Sequence, residues 1–207
     1  MDLDLTYDEA ASHVERVIAK GKFAKADVFI ANLSGRRFLV KDFSRKGFWE
    51  RTLIGRVFIG RELRAYAALA GIDGLPSWFK RLNPFALAVE YLAGRDLGGI
   101  NQGEIGNEVM LQFQRIVDAV HSRGWIHGDL QRRSNVLLVG RKVFVVDLAS
   151  AFHPRGVPVI GWFLHRFFGF FDRLSFIKLK KIYLPDQLTA GERRLLSLRN
   201  FFMSAKW

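Results

Sequence analysis

The chain has 207 residues, 49% hydrophobic and 25% charged, enough apolar surface for a sizeable core in one domain or two small lobes. It contains no cysteine, which excludes a disulfide scaffold, a thiolate zinc site and a cysteine nucleophile. Its formal charge of +12 favours anionic partners: nucleic acid, acidic lipid or a phosphorylated substrate.

Met1-Asp2-Leu3-Asp4 is acidic and lacks the basic-then-apolar layout of a signal peptide, so the expected place is the cytoplasm. Thr6-Tyr7-Asp8-Glu9 reads as a capping box opening a helix with Ala10, Val14, Val17 and Ile18 on one side. Val28-Phe29-Ile30 and Phe38-Leu39-Val40 read as strands, joined by a hairpin turn at Asn32-Leu33-Ser34-Gly35. Residues 59–70 read as a helix that ends at Gly71, and 85–91 as an apolar strand. From Glu104 to Ser122, Val109, Phe113, Ile116, Val117 and Val120 recur at helical spacing, and Gly124 closes the segment. Short strands follow at 136–139 and 143–146, and the remainder is mostly helical. Strands first and helices later, with a glycine break near residues 93–95, suggest a small sheet-based lobe and a helical lobe with a nucleotide cleft between them.

The chemistry concentrates in His127-Gly128-Asp129-Leu130, Asn135-Val136-Leu137-Leu138 and Val145-Val146-Asp147. Two carboxylates and one carboxamide stand on consecutive turns, each beside an apolar strand. Phosphoryl transfer from a nucleotide needs that set. Asp129 would accept the proton of an attacking hydroxyl or orient it; Asn135 and Asp147 would hold magnesium. Taken singly they read as a turn residue, a cap and a strand end, and their order and spacing argue against that reading of all three.

These residues resemble the protein-kinase-like superfamily, over about Val28 to Asp147. The resemblance implies an α+β, two-lobed fold: a small antiparallel-sheet N-lobe over residues 1–92 and a short helical C-lobe over 93–207. It implies ATP and Mg2+ as cofactors, with Mg-ATP between Lys41 and Asp147. Lys41 is similar to the strand lysine that pairs with the nucleotide phosphates, and Glu62 to the helix glutamate that holds that lysine, with Glu50 a competitor for the role. Glu90 and Leu92 fall in a hinge-like stretch whose backbone would bond the adenine edge. His127 would order the catalytic loop, and Asp147 stands where the Asp-Phe-Gly aspartate stands. Phe48 and Trp49 are expected to pack inside the lobe.

The sequence departs from ordinary protein kinases in several places. Five residues separate Asp129 from Asn135, where the family leaves four, so the loop must bulge near Arg132-Arg133. Those arginines would meet a phosphate or face solvent. Asp147-Leu148-Ala149 replaces Asp-Phe-Gly, no Ala-Pro-Glu element follows, and Gly128 replaces the loop arginine, so control by activation-loop phosphorylation is not expected. The loop Gly21-Lys22-Phe23-Ala24-Lys25-Ala26 is poor in glycine, leaving backbone amides and Lys22 or Lys25 to cover the phosphates.

Only 78 residues follow Asp129. Among minimal kinases the chain looks most like the lipopolysaccharide core kinases, which phosphorylate heptose or Kdo sugars. The loop pattern His-Gly-Asp-Leu with Arg133 and Asn135 and the tail 184–194 carry that comparison; RIO-like and aminoglycoside-phosphotransferase-like kinases share the core motifs. The resemblance implies an anionic glycolipid acceptor and peripheral contact with the inner face of the cytoplasmic membrane. A RIO-like protein kinase and a kinase-like binding protein are the alternatives, and nucleic-acid binding ranks last because no nucleic-acid motif appears.

Residues 151–207 hold ten Lys/Arg and three Asp/Glu, a net of +7. Wound as a helix, 162–174 puts His165, Arg166, Gly169, Asp172 and Arg173 on one arc and phenylalanines over most of the rest. Charges interrupt it too often for a membrane span. Two readings stay open: a wide apolar face buried under the catalytic loop, or a helix lying on a membrane, aided by Lys178, Lys180 and Lys181.

Overall fold

Short β-branched and aromatic runs build the first sheet. The computed structural model describes residues 5–154 and 158–204, the side chains of 158–160 and 198–204 excepted. The N-terminal Met1–Asp4 reading therefore lies outside the described residues. Strands β1 (Val14–Ala19), β2 (Asp27–Leu33), β3 (Arg36–Asp42), β4 (Phe79–Asn83) and β5 (Ala86–Glu90) form an antiparallel sheet in the order β1-β2-β3-β5-β4. Ser34 and Gly35 both take positive φ (51° and 79°), as a two-residue primed hairpin turn between twisted strands requires. Phe29, Ala31, Phe38, Val40 and Ala88 turn one face of the sheet onto Leu5 and Ala10.

The capping box forms, with Thr6 N donating to Glu9 Oε2 at 2.8 Å and Glu9 N to Thr6 Oγ1 at 3.3 Å. The helix it opens, α1 (Tyr7–Ser12), is shorter than expected. His13 caps it through Glu9 O, and Val14, Val17 and Ile18 lie instead on β1, an exposed edge strand paired with β2. Helical spacing there lost to strand pairing. A π-helical turn (Glu50–Gly55) runs into α2 (Arg56–Leu69), which buries Ile59, Glu62, Ala65, Tyr66 and Leu69. Phe48 and Trp49 do not fill the lobe interior: they are 61% and 72% exposed and meet each other edge-to-face at 5.4 Å.

The chain divides into two compact units, Met1–Gly71 with Pro76–Ala93, and Ile72–Leu75 with Gly94–Trp207. In the second, α3 (Asn107–Ser122) buries Val109, Met110, Phe113, Ile116, Val117 and Val120. Strands β6 (Arg95–Asp96), β7 (Val136–Val139) and β8 (Lys142–Val145) form a three-stranded antiparallel sheet in that order. Two further helices, α4 (Pro158–Tyr183) and α5 (Ala190–Ser204), follow. Each fully buried Leu or Ile here contributes about 1.5–3 kcal/mol relative to exposure.

The tail residues 184–194 have a structural job: Thr189 and Glu192 cap each other at the start of α5, and Lys180 pairs with Glu192 at 3.0 Å. In α4, burial of the apolar face holds for Leu174, Phe176, Ile177, Leu179 and Tyr183. It does not hold for Trp162, Phe163, Phe167, Phe170 and Phe171, which are 43–64% exposed. Two members of the arc read as polar, Gly169 and Asp172, face inward instead. Gly169 faces Ile126 and His121 with room for a methyl group, since a Cβ there would make ordinary contact at 3.5 Å from Ile126 Cδ1 and 3.6 Å from His121 Cε1.

Candidate active site

The first unit supplies an ion pair. Lys41 points from β3, and its Nζ lies 2.6 Å from Glu62 Oε1 on α2, with the two side chains 13% and 3% exposed. Glu50, the competitor, instead accepts the Ala24 amide at 2.9 Å. A lysine held by a buried carboxylate is fixed in position and kept charged, as binding of phosphate oxygens requires.

The glycine-poor loop is held differently from a glycine-rich one. Gly21 N donates to Asp27 Oδ1 at 2.8 Å, and Lys46 Nζ bridges Gly21 O and Asp27 Oδ1 at 2.7 and 2.6 Å. Two of the backbone amides expected to face phosphate thus meet side-chain carboxylates, while Lys22 and Lys25 are exposed. In the hinge-like stretch, Glu90 N donates to Trp78 O and Tyr91 N to Arg37 O. The Glu90 carboxylate accepts from Ser77 N and Oγ at 2.7 and 2.8 Å. Glu90 therefore braces the strand through its side chain; Leu92 follows two residues on, partly buried.

The second unit brings His127, Asp129, Asn135 and Asp147 onto two connected loops. Asn135 Nδ2 donates to Asp129 O at 3.0 Å, and Val146 N donates to Asn135 O at 2.9 Å. His127, 1% exposed, donates from Nε2 to Val146 O at 3.1 Å and accepts from Asp129 N at Nδ1 at 3.3 Å. That pair of bonds needs the neutral Nε2–H tautomer. Burial favours it, pushing the imidazole below its ordinary 6.5 against the pull of Asp172, the Val146 carbonyl, Asp147 and Asp129. His127 is thus an internal brace between the loop that carries Asp129 and the residue preceding Asp147.

Asp147 takes the left-handed conformation at φ 65° and heads a tight turn in which Leu148 is fully buried. Leucine there fills the core from the place of the usual phenylalanine. The extra loop residue is taken up by a turn: Arg132 N reaches Asp129 O and Asn135 N reaches Arg132 O. Arg132 Nε also lies 2.8 Å from Asp129 Oδ2. Of the two arginines, Arg132 therefore touches the carboxylate, and Arg133 is exposed. Gly128 replaces arginine for a backbone reason: its φ is +80°, and a Cβ there would lie 3.0 Å from Ser150 O.

Asp172 is the residue that motif reading missed. Its buried carboxylate accepts from His127 N at 2.9 Å and Gly128 N at 3.1 Å, and lies 3.0 Å from His121 Nε2. It fixes the backbone just before Asp129. The available signal was its isolation: it is the one acidic residue between His153 and Asp186.

Magnesium fits this arrangement. Because the Asn135 amide nitrogen donates to Asp129 O, Oδ1 is the carboxamide atom left to face a cation, with the Asp147 carboxylate on the adjoining loop. Two protein oxygens suit an ion that keeps waters and takes phosphate oxygens. Among the described residues, no cluster of three or more His, Cys, Asp or Glu offers an all-protein cage.

No family model matches the chain. It is 30% identical over 88 residues to a probable bifunctional tRNA threonylcarbamoyladenosine biosynthesis protein of Methanosarcina barkeri, a match covering 42% of this chain and 15% of that protein. It is 25% identical over 146 residues to the serine/threonine-protein kinase cot-1 of Neurospora crassa, covering 67% of this chain and 24% of that one. The chain thus spans less than a quarter of the length of either protein. Among solved structures it is similar to the Rio2 kinase from Chaetomium thermophilum, with a TM-score of 0.63 at 12% identity over 86% of this chain and 60% of that one. The chain has the protein-kinase-like fold.

Proposed function

We propose that this chain is an ATP-dependent phosphotransferase acting on a sugar hydroxyl of the lipopolysaccharide inner core. The observation that carries the phosphotransferase reading is the network joining Asp129, Asn135 and the Asp147 loop through His127. Catalytic and metal-binding groups are held there as one rigid set. The Lys41–Glu62 pair supplies the phosphate-binding cation.

Lys41 holds phosphate oxygens of the nucleotide, and Glu62 fixes Lys41. Asn135 Oδ1 and the Asp147 carboxylate would hold magnesium, which when bound would neutralise charge on the phosphates. Asp129 orients the acceptor hydroxyl. The hydroxyl oxygen bonds to the γ-phosphorus, the bond from that phosphorus to the β,γ-bridging oxygen breaks, ADP leaves, and the hydroxyl proton passes to Asp129. The transition state is loose, so positioning and charge neutralisation matter more than base strength.

The glycolipid acceptor is supported by the loop spacing and the basic balance of residues 151–207. The likeness to the serine/threonine-protein kinase cot-1 favours a second reading, transfer to protein. One experiment separates them: transfer of labelled γ-phosphate, with magnesium, into separated glycolipid and protein fractions of a bacterial envelope, with Asp129→Ala as control. Label in the glycolipid that the variant loses supports the first reading. Asp129-dependent label in protein alone replaces it with the second. No Asp129-dependent label in either fraction removes both.

A further inference from the structure

We infer that the outward face of α4 is a docking surface for an anionic phospholipid bilayer. Trp162, Phe163, Phe167, Phe170 and Phe171 stand exposed on the first half of the helix. The phenylalanines meet one another: Phe163–Phe167 stacked at 6.4 Å, and Phe167–Phe171 at 5.1 Å and Phe170–Phe171 at 6.1 Å edge-to-face between ring centres, with Phe168 joining Phe167 to Phe152. A soluble surface seldom shows an aromatic row of this size without a partner.

The charges around the row select the partner. Arg166 and Arg173 are exposed beside the aromatics, with Arg166 packed over the Trp162 ring at 6.0 Å. The one carboxylate of Pro158–Tyr183, Asp172, is turned inward and bonded to the catalytic loop. Among the described residues of α4 and the groove beside it, the outward face is therefore aromatic and cationic and carries no acid. A second copy packed face to face would set arginine against arginine, which disfavours self-association. An open groove of about 500 Å³ runs along this face between His121 and Arg173, with His165 and Arg166 on its wall. It offers guanidinium groups to a lipid phosphate beside rings that suit the acyl boundary. No described helix is long and apolar enough to cross a membrane, so the geometry points to a helix lying in the interface.

This inference is independent of phosphoryl transfer, because bilayer binding needs no nucleotide. The test is flotation of the full chain with vesicles of phosphatidylcholine alone or mixed with phosphatidylglycerol. The expected result is binding to the mixed vesicles and little to the neutral ones. Arg166→Glu with Arg173→Glu should weaken it by about tenfold or more. Phe167→Ser with Phe171→Ser should weaken it comparably. Phe48→Ser with Trp49→Ser, equally exposed elsewhere, should leave it intact, as should Asp129→Ala. Hydrogen–deuterium exchange on the unaltered chain gives a reading that no folding defect can confuse: peptides spanning 162–173 gain protection when mixed vesicles are added. Equal binding to both vesicle types, no binding, or no gain of protection at 162–173 overturns the inference. So does a concentration-dependent dimer that the Phe167/Phe171 variant abolishes.

Discussion

Lys41 and Glu62 form a nearly buried ion pair, and burial decides what breaking it costs. Glu62 is almost wholly buried, so Glu62→Ala leaves an ammonium largely cut off from water. Breaking a buried pair from one side costs about 3–5 kcal/mol. Urea unfolding should show that loss in Glu62→Ala. The double variant Lys41→Met/Glu62→Met should lose clearly less than the two single losses combined. Additive losses would mean that the pair is not coupled. His127 makes the matching argument for protons. Its folded value lies below its ordinary 6.5, so under mildly acidic conditions the unfolded chain binds more protons at this residue than the folded one. Its cost is therefore absent above about pH 6.5 and grows as pH falls below it. Stability should drop on acidification through that window, and His127→Gln should flatten the slope there. An unchanged slope in the variant would show that another group sets it.

Helix α4 shows how an element can be read correctly in type and wrongly in orientation. Its composition announces an amphipathic helix, and the arc His165–Arg173 looks like the wet side. Yet Gly169 and Asp172 face inward, because the backbone amides of His127 and Gly128 need an acceptor that apolar side chains lack. The strand Lys41 and the order of Asp129, Asn135 and Asp147 were legible because each sits next to a patterned strand or helix. Asp172 was not, because its partners are 44 and 45 residues away in sequence. Strand β1 was missed for a related reason: Val14, Val17 and Ile18 fit a helical face, and only pairing with β2 makes them a strand. The inward carboxylate carries a prediction. Asp172→Asn keeps the shape but loses the charge that both amides and His121 meet, so the backbone before Asp129 should loosen. The kcat for phosphoryl transfer should fall by about tenfold or more while KM for nucleotide stays near its original value. A loss confined to the folded fraction, with normal kcat per folded molecule, would reduce Asp172 to a purely structural residue.

At the scale of the whole molecule, 32 Lys/Arg stand against 20 Asp/Glu. Several cations are spent on structure: Lys41 on Glu62, Lys46 on Asp27, Lys180 on Glu192. Others carry no structural load of that kind. Arg133, Arg166 and Arg173 are exposed on the same unit as Asp129. A surplus placed at the surface raises the local concentration of an anionic acceptor and speeds its capture, and salt screens that effect. His127 and Asn135 are buried, so for the proposed transfer the step after capture should feel salt much less. For a phosphorylated glycolipid acceptor, kcat/KM should therefore fall about tenfold as ionic strength rises from tens of millimolar to several hundred, almost entirely through KM. For the same acceptor stripped of its phosphates, the fall should be much smaller. Steady-state kinetics with the two acceptors across a salt series distinguishes these cases. A common salt dependence for both would mean that the net +12 acts on the nucleotide or on the fold rather than on the acceptor.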